Sequence, residues 1–418
     1  MSGQTYQRNV PRYYLFSLLT SSMFWVGIWI IFLQDRGVSL SQIGMLEVVA
    51  LFIGAVMEIP TGVVADTYGR KVSLAMGAFL NALAMLAMLT GALSPIFLVG
   101  YLLWNTSYAF LSGAGEALLY DSLTADGRGE MFAEVNGRNM AIIQAASGVA
   151  GLLGGFIAAW DMRACFVLTA GLYILAGIVA LSMNEPPQGE ADAPKTSFRD
   201  NLRIGVGIAV HQPVVRYVIL YGSMLSLFSL LVIGFLVQPY AEEVGLPVWT
   251  MGGILLLTSG GSMIGAWLSG RADRRLGRGR LLMVVPATVV GLQLLLWLAA
   301  APAAIGLVAI ISLATALSQP ILSAMLNDAI PSAQRATVIS LQSLLFSLAA
   351  SPIQIALLAI ATRTSAALAI GVSGVMLAGV IVPLFTLLQR ATSAPEPEVD
   401  APTPVVLPVP AGSAVGGD

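Results

Sequence analysis

Charge is what this sequence has least of. Only 10% of its 418 residues are Asp, Glu, Lys or Arg, 57% are hydrophobic, and the mean hydropathy is +0.84. A soluble chain of this length carries about a quarter charged residues. A water-soluble domain is therefore excluded, and a polytopic membrane protein, with the lipid bilayer as its first partner, is implied. The single cysteine, Cys165, excludes an intramolecular disulfide. The single histidine, His211, leaves no histidine-built metal centre. Both are expected to be structural. No G-x-x-x-x-G-K-[ST] phosphate loop occurs, so direct drive by ATP is not expected. No enzyme signature occurs either. The expectation is a chain that is not an enzyme, with no cofactor, no metal and no nucleic-acid partner.

What the sequence has in abundance is long apolar runs. A hydrocarbon core of about 30 Å needs roughly 20 apolar residues per helix. On that basis twelve spans are expected, at about 13–33, 43–65, 72–93, 95–120, 137–159, 163–183, 214–238, 250–270, 281–300, 302–327, 337–361 and 365–388. The first lacks a small-residue cleavage site and is expected to be retained rather than removed as a signal peptide. An even number of spans puts both termini on one side. That side then carries all of the 20 lysines and arginines except Arg36, Arg163 and Arg363. The positive-inside rule makes it cytoplasmic, so the expected location is the cell membrane, multi-pass, with both termini inside.

Residues 1–183 form a first expected six-helix bundle and 214–390 a second. Between them, 184–213 interrupts the apolar pattern. Asn184-Glu185-Pro186-Pro187 ends the sixth span, because proline does not continue a helix. Phe198, Leu202, Val206 and Ala209 recur at helical spacing opposite Arg199, Asp200 and Arg203, which predicts an amphipathic helix on the cytoplasmic surface. The tail 391–418 is rich in Pro, Ala and Val and is expected to be disordered. The bundles read as parallel repeats. Asp66 and Asp273 are offset by 207 (273 − 66), and so are Asp121 and Asp328 (328 − 121). The Gly37 and Gly245 turns are offset by 208 (245 − 37).

One loop organises the rest: Gly62-Val63-Val64-Ala65-Asp66-Thr67-Tyr68-Gly69-Arg70-Lys71. Gly62 and Gly69 are expected to permit close approach and a sharp turn. The run resembles the loop signature of the major facilitator superfamily, G-x-x-x-D-R-x-G-R-K/R. Gly62, Asp66, Gly69, Arg70 and Lys71 match, while Thr67 stands where the family usually has Arg. The resemblance covers about residues 10–390. It implies an all-α membrane fold of twelve transmembrane helices in two six-helix parallel repeats, a midplane site exposed alternately to each side, and a monomer. It also implies that Asp66, Arg70 and Asp121 latch the cytoplasmic side, with Asp273, Arg278 and Asp328 as a looser second copy. In that copy Ser269 replaces the first glycine, and one extra residue lies before Arg278. Solvated loop charge is the alternative for both sets.

A charge inside the bilayer costs about 3 kcal/mol on insertion scales, so each one needs a reason. Glu116 lies five residues before Asp121, about 7.5 Å deeper and roughly 140° around the helix. In the resembled fold it is a cavity acid, for protons or substrate, or else a partner of the charge cluster. At the 207 offset Ser323 stands in its place. Glu47 and Glu58 share a stripe about 16 Å long on the second span, where the resembled fold joins its halves. Hydrogen bonding across that interface and proton relay are the two expectations. No Lys or Arg lies deep in any span to neutralise these acids.

Trp25 and Trp29 with Phe24 and Phe32, and Trp104 and Tyr108 with Tyr101, are candidate walls of an apolar substrate cavity. Gly137, Gly154 and Gly155 fit a degraded antiporter motif, with Ala146 and Ala150 replacing glycines and Gly151 the proline. Close helix packing accounts for the same run. The span-four sequence and the paired acids look most like the proton-coupled drug exporters. The expected function is thus proton-coupled efflux of a neutral or cationic amphipathic small molecule. A nutrient importer of the same fold is the nearest alternative, and a non-transporting membrane receptor is one of another class.

Overall fold

The structure is a computed structural model and describes residues 6–112, 114–186, 206–330 and 335–393. Every regular element among them is helical. The first group is α1 (Asn9–Ser21), α2 (Trp29–Asp35), α3 (Leu40–Tyr68), α4 (Arg70–Ala87), α5 (Pro95–Leu111), α6 (Ala114–Ala125), α7 (Phe132–Ala158) and α8 (Met162–Ser182). After a short helical stretch, α9 (206–211), comes the second group. It consists of α10 (Pro213–Leu230), a π-helical turn (Leu231–Leu236), α11 (Val237–Glu243), α12 (Thr250–Leu276), α13 (Arg278–Ala299), α14 (Leu307–Ala329), α15 (Arg335–Arg363) and α16 (Ala366–Ser393).

Helix starts follow local chemistry. Ser39 and Gln42 form a reciprocal capping box that opens α3. Ser94 accepts from the Phe97 N–H, with Pro95 at the first helical position of α5. Asp161 caps α8 through the Arg163 N–H.

Among the described residues nine helical stretches are long and apolar enough to cross a membrane. The expected spans that fall outside this set are the first, fourth and eleventh. The first is broken into α1 and α2, and the fourth is interrupted after Leu111. For the eleventh, the apolar stretch that can be assessed runs only from Ala350 to Arg363. Most of the expected amphipathic linker (187–205) and nearly all of the tail (394–418) lie outside the described residues. The helix α16 continues to Ser393, past the expected start of the tail.

Within the first group α4 packs between α5 and α8, and α1 lies against α7 and α8. In the second, α12 pairs with α14, and α16 packs on α10 and α13. The groups meet through α3 with α15, α7 with α12, and α2 with α11. The tight contacts lie at the helix ends remote from the Gly62–Lys71 loop. The Ser41 N–H donates to Thr362 Oγ1 at 3.0 Å. A Cβ at Gly44 would come within 2.9 Å of Leu358 Cδ1, and one at Gly155 within 2.7 Å of the Trp249 carbonyl oxygen. Nearer the loop, Phe52, Val56 and Val63 on α3 are exposed.

Glycine at 154 is required by the break in the first span. A Cβ there would stand 2.0 Å from the Phe24 carbonyl oxygen, so the unwound backbone rests directly on α7. Gly137 on the same helix has open space. The glycine run thus divides into positions that permit packing and one that does not need to. Gly154→Ala is expected to cost about 1–3 kcal/mol through overpacking, seen as a lower unfolding temperature of the purified protein. Gly137→Ala should leave that temperature unchanged or slightly raised.

Candidate transport site

The loop between α3 and α4 turns on Gly69, whose φ of +98° lies in the region that side chains avoid. Its geometry is fixed by a residue the sequence offered only as a helix stop. The Glu185 carboxylate accepts from the Arg70 N–H at 2.6 Å and from the Lys71 N–H at 3.0 Å. These are free donors of the first turn of α4, where negative charge is favoured. A Cβ at Gly69 would fall 2.8 Å from Glu185 Cδ, so glycine is demanded by both torsion and space. Gly62 differs from expectation, because a Cβ there meets nothing within 4 Å. It is not a close-approach glycine in this arrangement.

The Arg70 guanidinium pairs with Asp121 and donates to the Ala117 carbonyl oxygen at 2.6 Å. Two helices of the first group are thereby joined at the loop. The side chain of Asp66 lies outside the described residues, and so does its expected contact with the other half. In the second copy, Arg278 reaches Asp273 at 3.5 Å and Asp328 at 3.9 Å. The three residues are together but loosely, and Asp328 is 73% exposed. Exposed pairs of this kind contribute little.

The three acids lie in separate surroundings. Glu58 lines a cleft of about 380 Å³ with Thr61, Arg70, Ser112 and Ala117, near the loop. Glu116 is exposed on α6 and accepts from Asn136 Nδ2 at 3.4 Å. The hydroxyl of Tyr13 lies beside Gly115, its chain neighbour. Glu47 turns into its own half and not across the interface, where it accepts a hydrogen bond from the Tyr101 hydroxyl. Tyr101 is fully buried.

The aromatic candidates separate as well. Trp25 packs edge-on to Trp104 at 5.1 Å, and Trp104 packs edge-on to Tyr101 at 5.5 Å. Tyr108 continues the row and donates to Met23 Sδ. Trp29 instead meets Phe235 across the two groups. The enclosed space between Trp25, Trp29, Phe97 and Tyr101 is about 10 Å³, room for one water at most. The aromatic cluster is packed shut in this arrangement.

The principal polar link between the groups was not foreseen. Gln238, 6% exposed on α11, accepts from the Ile30 N–H at 3.0 Å and donates to the Val26 carbonyl oxygen at 3.2 Å. Both backbone groups are freed by the break between α1 and α2. Thr169 Oγ1 accepts from the Phe24 N–H at 3.3 Å on the other side of the same break. A search for charge alone passes over Gln238. An amide in an otherwise apolar stretch was the available signal.

Long apolar helices in two packed groups, with their interior breaks completed by polar side chains, are the architecture of a multi-pass membrane protein. The chain belongs to the Major Facilitator Superfamily, whose family model matches residues 13–353. A relative from Bacillus subtilis (strain 168), the uncharacterized MFS-type transporter YxaM, is 21% identical over 322 residues. The match covers 76% of this chain and 79% of that one. Among solved structures, the nucleoside transporter NupG superposes with a TM-score of 0.72 at 12% identity, covering 94% of this chain and all of that one. A bacterial homolog of the human lysosomal transporter Spinster, inward-facing and occupied, superposes with a TM-score of 0.65 at 15% identity. It covers 94% of this chain and 98% of that one. At these identities the likeness is one of fold.

Substitutions at two positions test the geometry. Glu185→Ala should cost about 1–2 kcal/mol, as loss of a helix cap does, while Glu185→Gln, which leaves one acceptor, should cost less; thermal unfolding ranks them. Gln238→Leu strands two backbone groups. Cys165 is buried, so a cysteine replacing Leu255 at the α7–α12 seam reports alone. Its labelling by a soluble maleimide should rise several-fold in the Gln238→Leu background, and unchanged labelling would show that Gln238 does not hold that end closed.

Proposed function

We propose that this chain is a proton-coupled secondary transporter that exports a neutral or cationic amphipathic small molecule by alternating access. We read it as a monomer in the cell membrane with both termini cytoplasmic. The reading takes twelve spans in two parallel repeats, with the broken first and fourth helices each counted as one. The observation that carries it is the exposure of Glu116 in a molecule whose halves meet at the opposite end. An acid that couples protons to transport has to change its access to water between the two states. Glu116 is exposed and bonded to Asn136 while the two groups are in contact at the remote end. Closure of the loop end would withdraw it. Glu47, sealed beside Tyr101 in this state, is the acid that opening of the remote end would reach.

The rest of the site supports an amphipathic cargo. Trp25, Trp104 and Tyr108 offer aromatic faces once the cluster parts, and no Lys or Arg stands among them to favour an anion. The Arg70–Asp121 pair with Glu185 holds the first half together at the loop, so that it moves as one body. The alternative is a nutrient or metabolite importer of the same fold. Direction of flux separates the two.

The test is transport into everted vesicles under an imposed pH difference, across a panel of dyes, nucleosides and quaternary amines. Accumulation driven by acid inside the vesicle supports export. Uptake only in right-side-out vesicles supports import, and flux indifferent to pH removes proton coupling. Glu116→Gln should abolish accumulation and leave energy-independent exchange near the parent level. If Glu116→Gln still concentrates substrate and Glu47→Gln does not, Glu47 is the coupling acid.

A further inference from the structure

The face opposite the Gly62–Lys71 loop carries few basic residues, yet Arg36 and Arg163 share a single pocket of about 720 Å³ there. Arg36 is fixed in place. Its guanidinium donates to the carbonyl oxygens of Met88, Leu89 and Thr90 at the end of α4, at 2.8–2.9 Å, and lies 4.6 Å over the Phe32 ring. Burial, and then the neighbouring Arg163, pull it below the ordinary arginine value, partly offset by Asp35. Arg163 is exposed, and among the described residues no ion pair joins it to an acid. Two cations near enough to repel thus face one opening. Asp35 and Asp161 stand in the same walls, so the pocket is balanced in charge.

An apolar groove of about 650 Å³ continues from this pocket and shares Ala159, Trp160 and Trp249 with it. Its floor is Phe156 and Ile157, with Phe156 stacked on Trp249 at 6.2 Å. Trp160 is 96% exposed. Tryptophans at the boundary of a charged pocket and an apolar groove mark the level where headgroup gives way to acyl chain.

We propose that the pocket and groove together bind one phospholipid with a zwitterionic headgroup. Its phosphate lies against Arg36 and Arg163, its ammonium against Asp35 and Asp161, and an acyl chain runs along Phe156. A free phosphate would leave the groove and both acids without a partner, and an anionic lipid would leave the acids uncompensated. Trp160 lies just past the end of α7 and Trp249 just before α12, so the lipid spans the seam between the groups and holds the remote end closed.

The full-length protein, purified and stripped of lipid, is titrated with phosphatidylethanolamine, with phosphatidylglycerol of the same chains, and with inorganic phosphate. Bound lipid is counted by native mass spectrometry, and the unfolding temperature is read in parallel. Phosphatidylethanolamine should be retained about tenfold better than phosphatidylglycerol, the size of one charge-assisted contact. Arg163→Gln and Trp160→Ala should each lower that retention, while Arg363→Gln, outside the pocket, should not. Asp161→Asn keeps a capping oxygen for α8 and should erase the preference between the two lipids. Equal retention of both lipids by the parent, or unchanged retention in Arg163→Gln, overturns the proposal. Protection by inorganic phosphate as strong as that by lipid overturns it as well, and leaves an anion site. The unfolding temperatures of the variants without lipid separate loss of the site from loss of the fold.

Discussion

Backbone groups inside a bilayer have no water to bond, so a helix may be broken there only where something else completes it. The break between α1 and α2 is the place where this constraint shapes the whole molecule. Gln238 answers one donor and one acceptor, and Thr169 answers another donor. Gly154 gives the unwound segment room to lie on α7. These partners come from α11, α8 and α7, so the break is held by helices of both groups. The same residues that make it tolerable also tie the groups together. The π-helical turn at Leu231–Leu236 lies directly before Gln238's helix, so irregular backbone faces irregular backbone across the interface.

The sequence was most informative where the signal is collective. Scarcity of charge, the length of the apolar runs and the loop residues Gly69, Arg70 and Asp121 indicate a helical transporter of this family, and the family match agrees. It was least informative where one side chain serves distant backbone. Glu185 looked like part of a proline-marked stop, and its partners Arg70 and Lys71 lie 115 and 114 residues away. Gln238 lies 208 residues from Ile30. No periodicity reports such a contact, because a polar group that meets backbone needs no matching side chain at the other end. Glu47 shows the related failure. Its position on a helical stripe was right, but the stripe alone did not say that Tyr101 of the same half would take it. The breaks in the first and fourth spans were hidden because hydropathy registers apolar residues whether or not they are helical.

The two loop copies differ for a reason visible at one position. The residue 207 after Glu185 is Thr392, whose hydroxyl turns back to the Leu388 carbonyl of its own helix. The first turn of α13 therefore receives no carboxylate from that position, and Arg278 stands at 3.5–3.9 Å from its acids, half exposed. The first half is pinned at its loop by an ion pair and a helix cap, whereas among the described residues the second shows the long, half-exposed contacts of Arg278. Gly277, with φ of +80°, keeps the turn itself. Backbone shape is common to both copies, and the side-chain pinning is not.

Glu185 also stands at the place where the chain leaves the first group of helices. Everything that joins that group to α10 departs after Pro186, one residue beyond the carboxylate that caps α4. The same exit is held from α1 by Asn9, whose amide oxygen accepts from the Asn184 N–H at 2.9 Å and whose Nδ2 donates to the Asn184 carbonyl oxygen at 2.7 Å. The way out of the first group and the turn between its second and third spans thus share one anchorage, with Glu185 on the loop side and Asn9 on the α1 side.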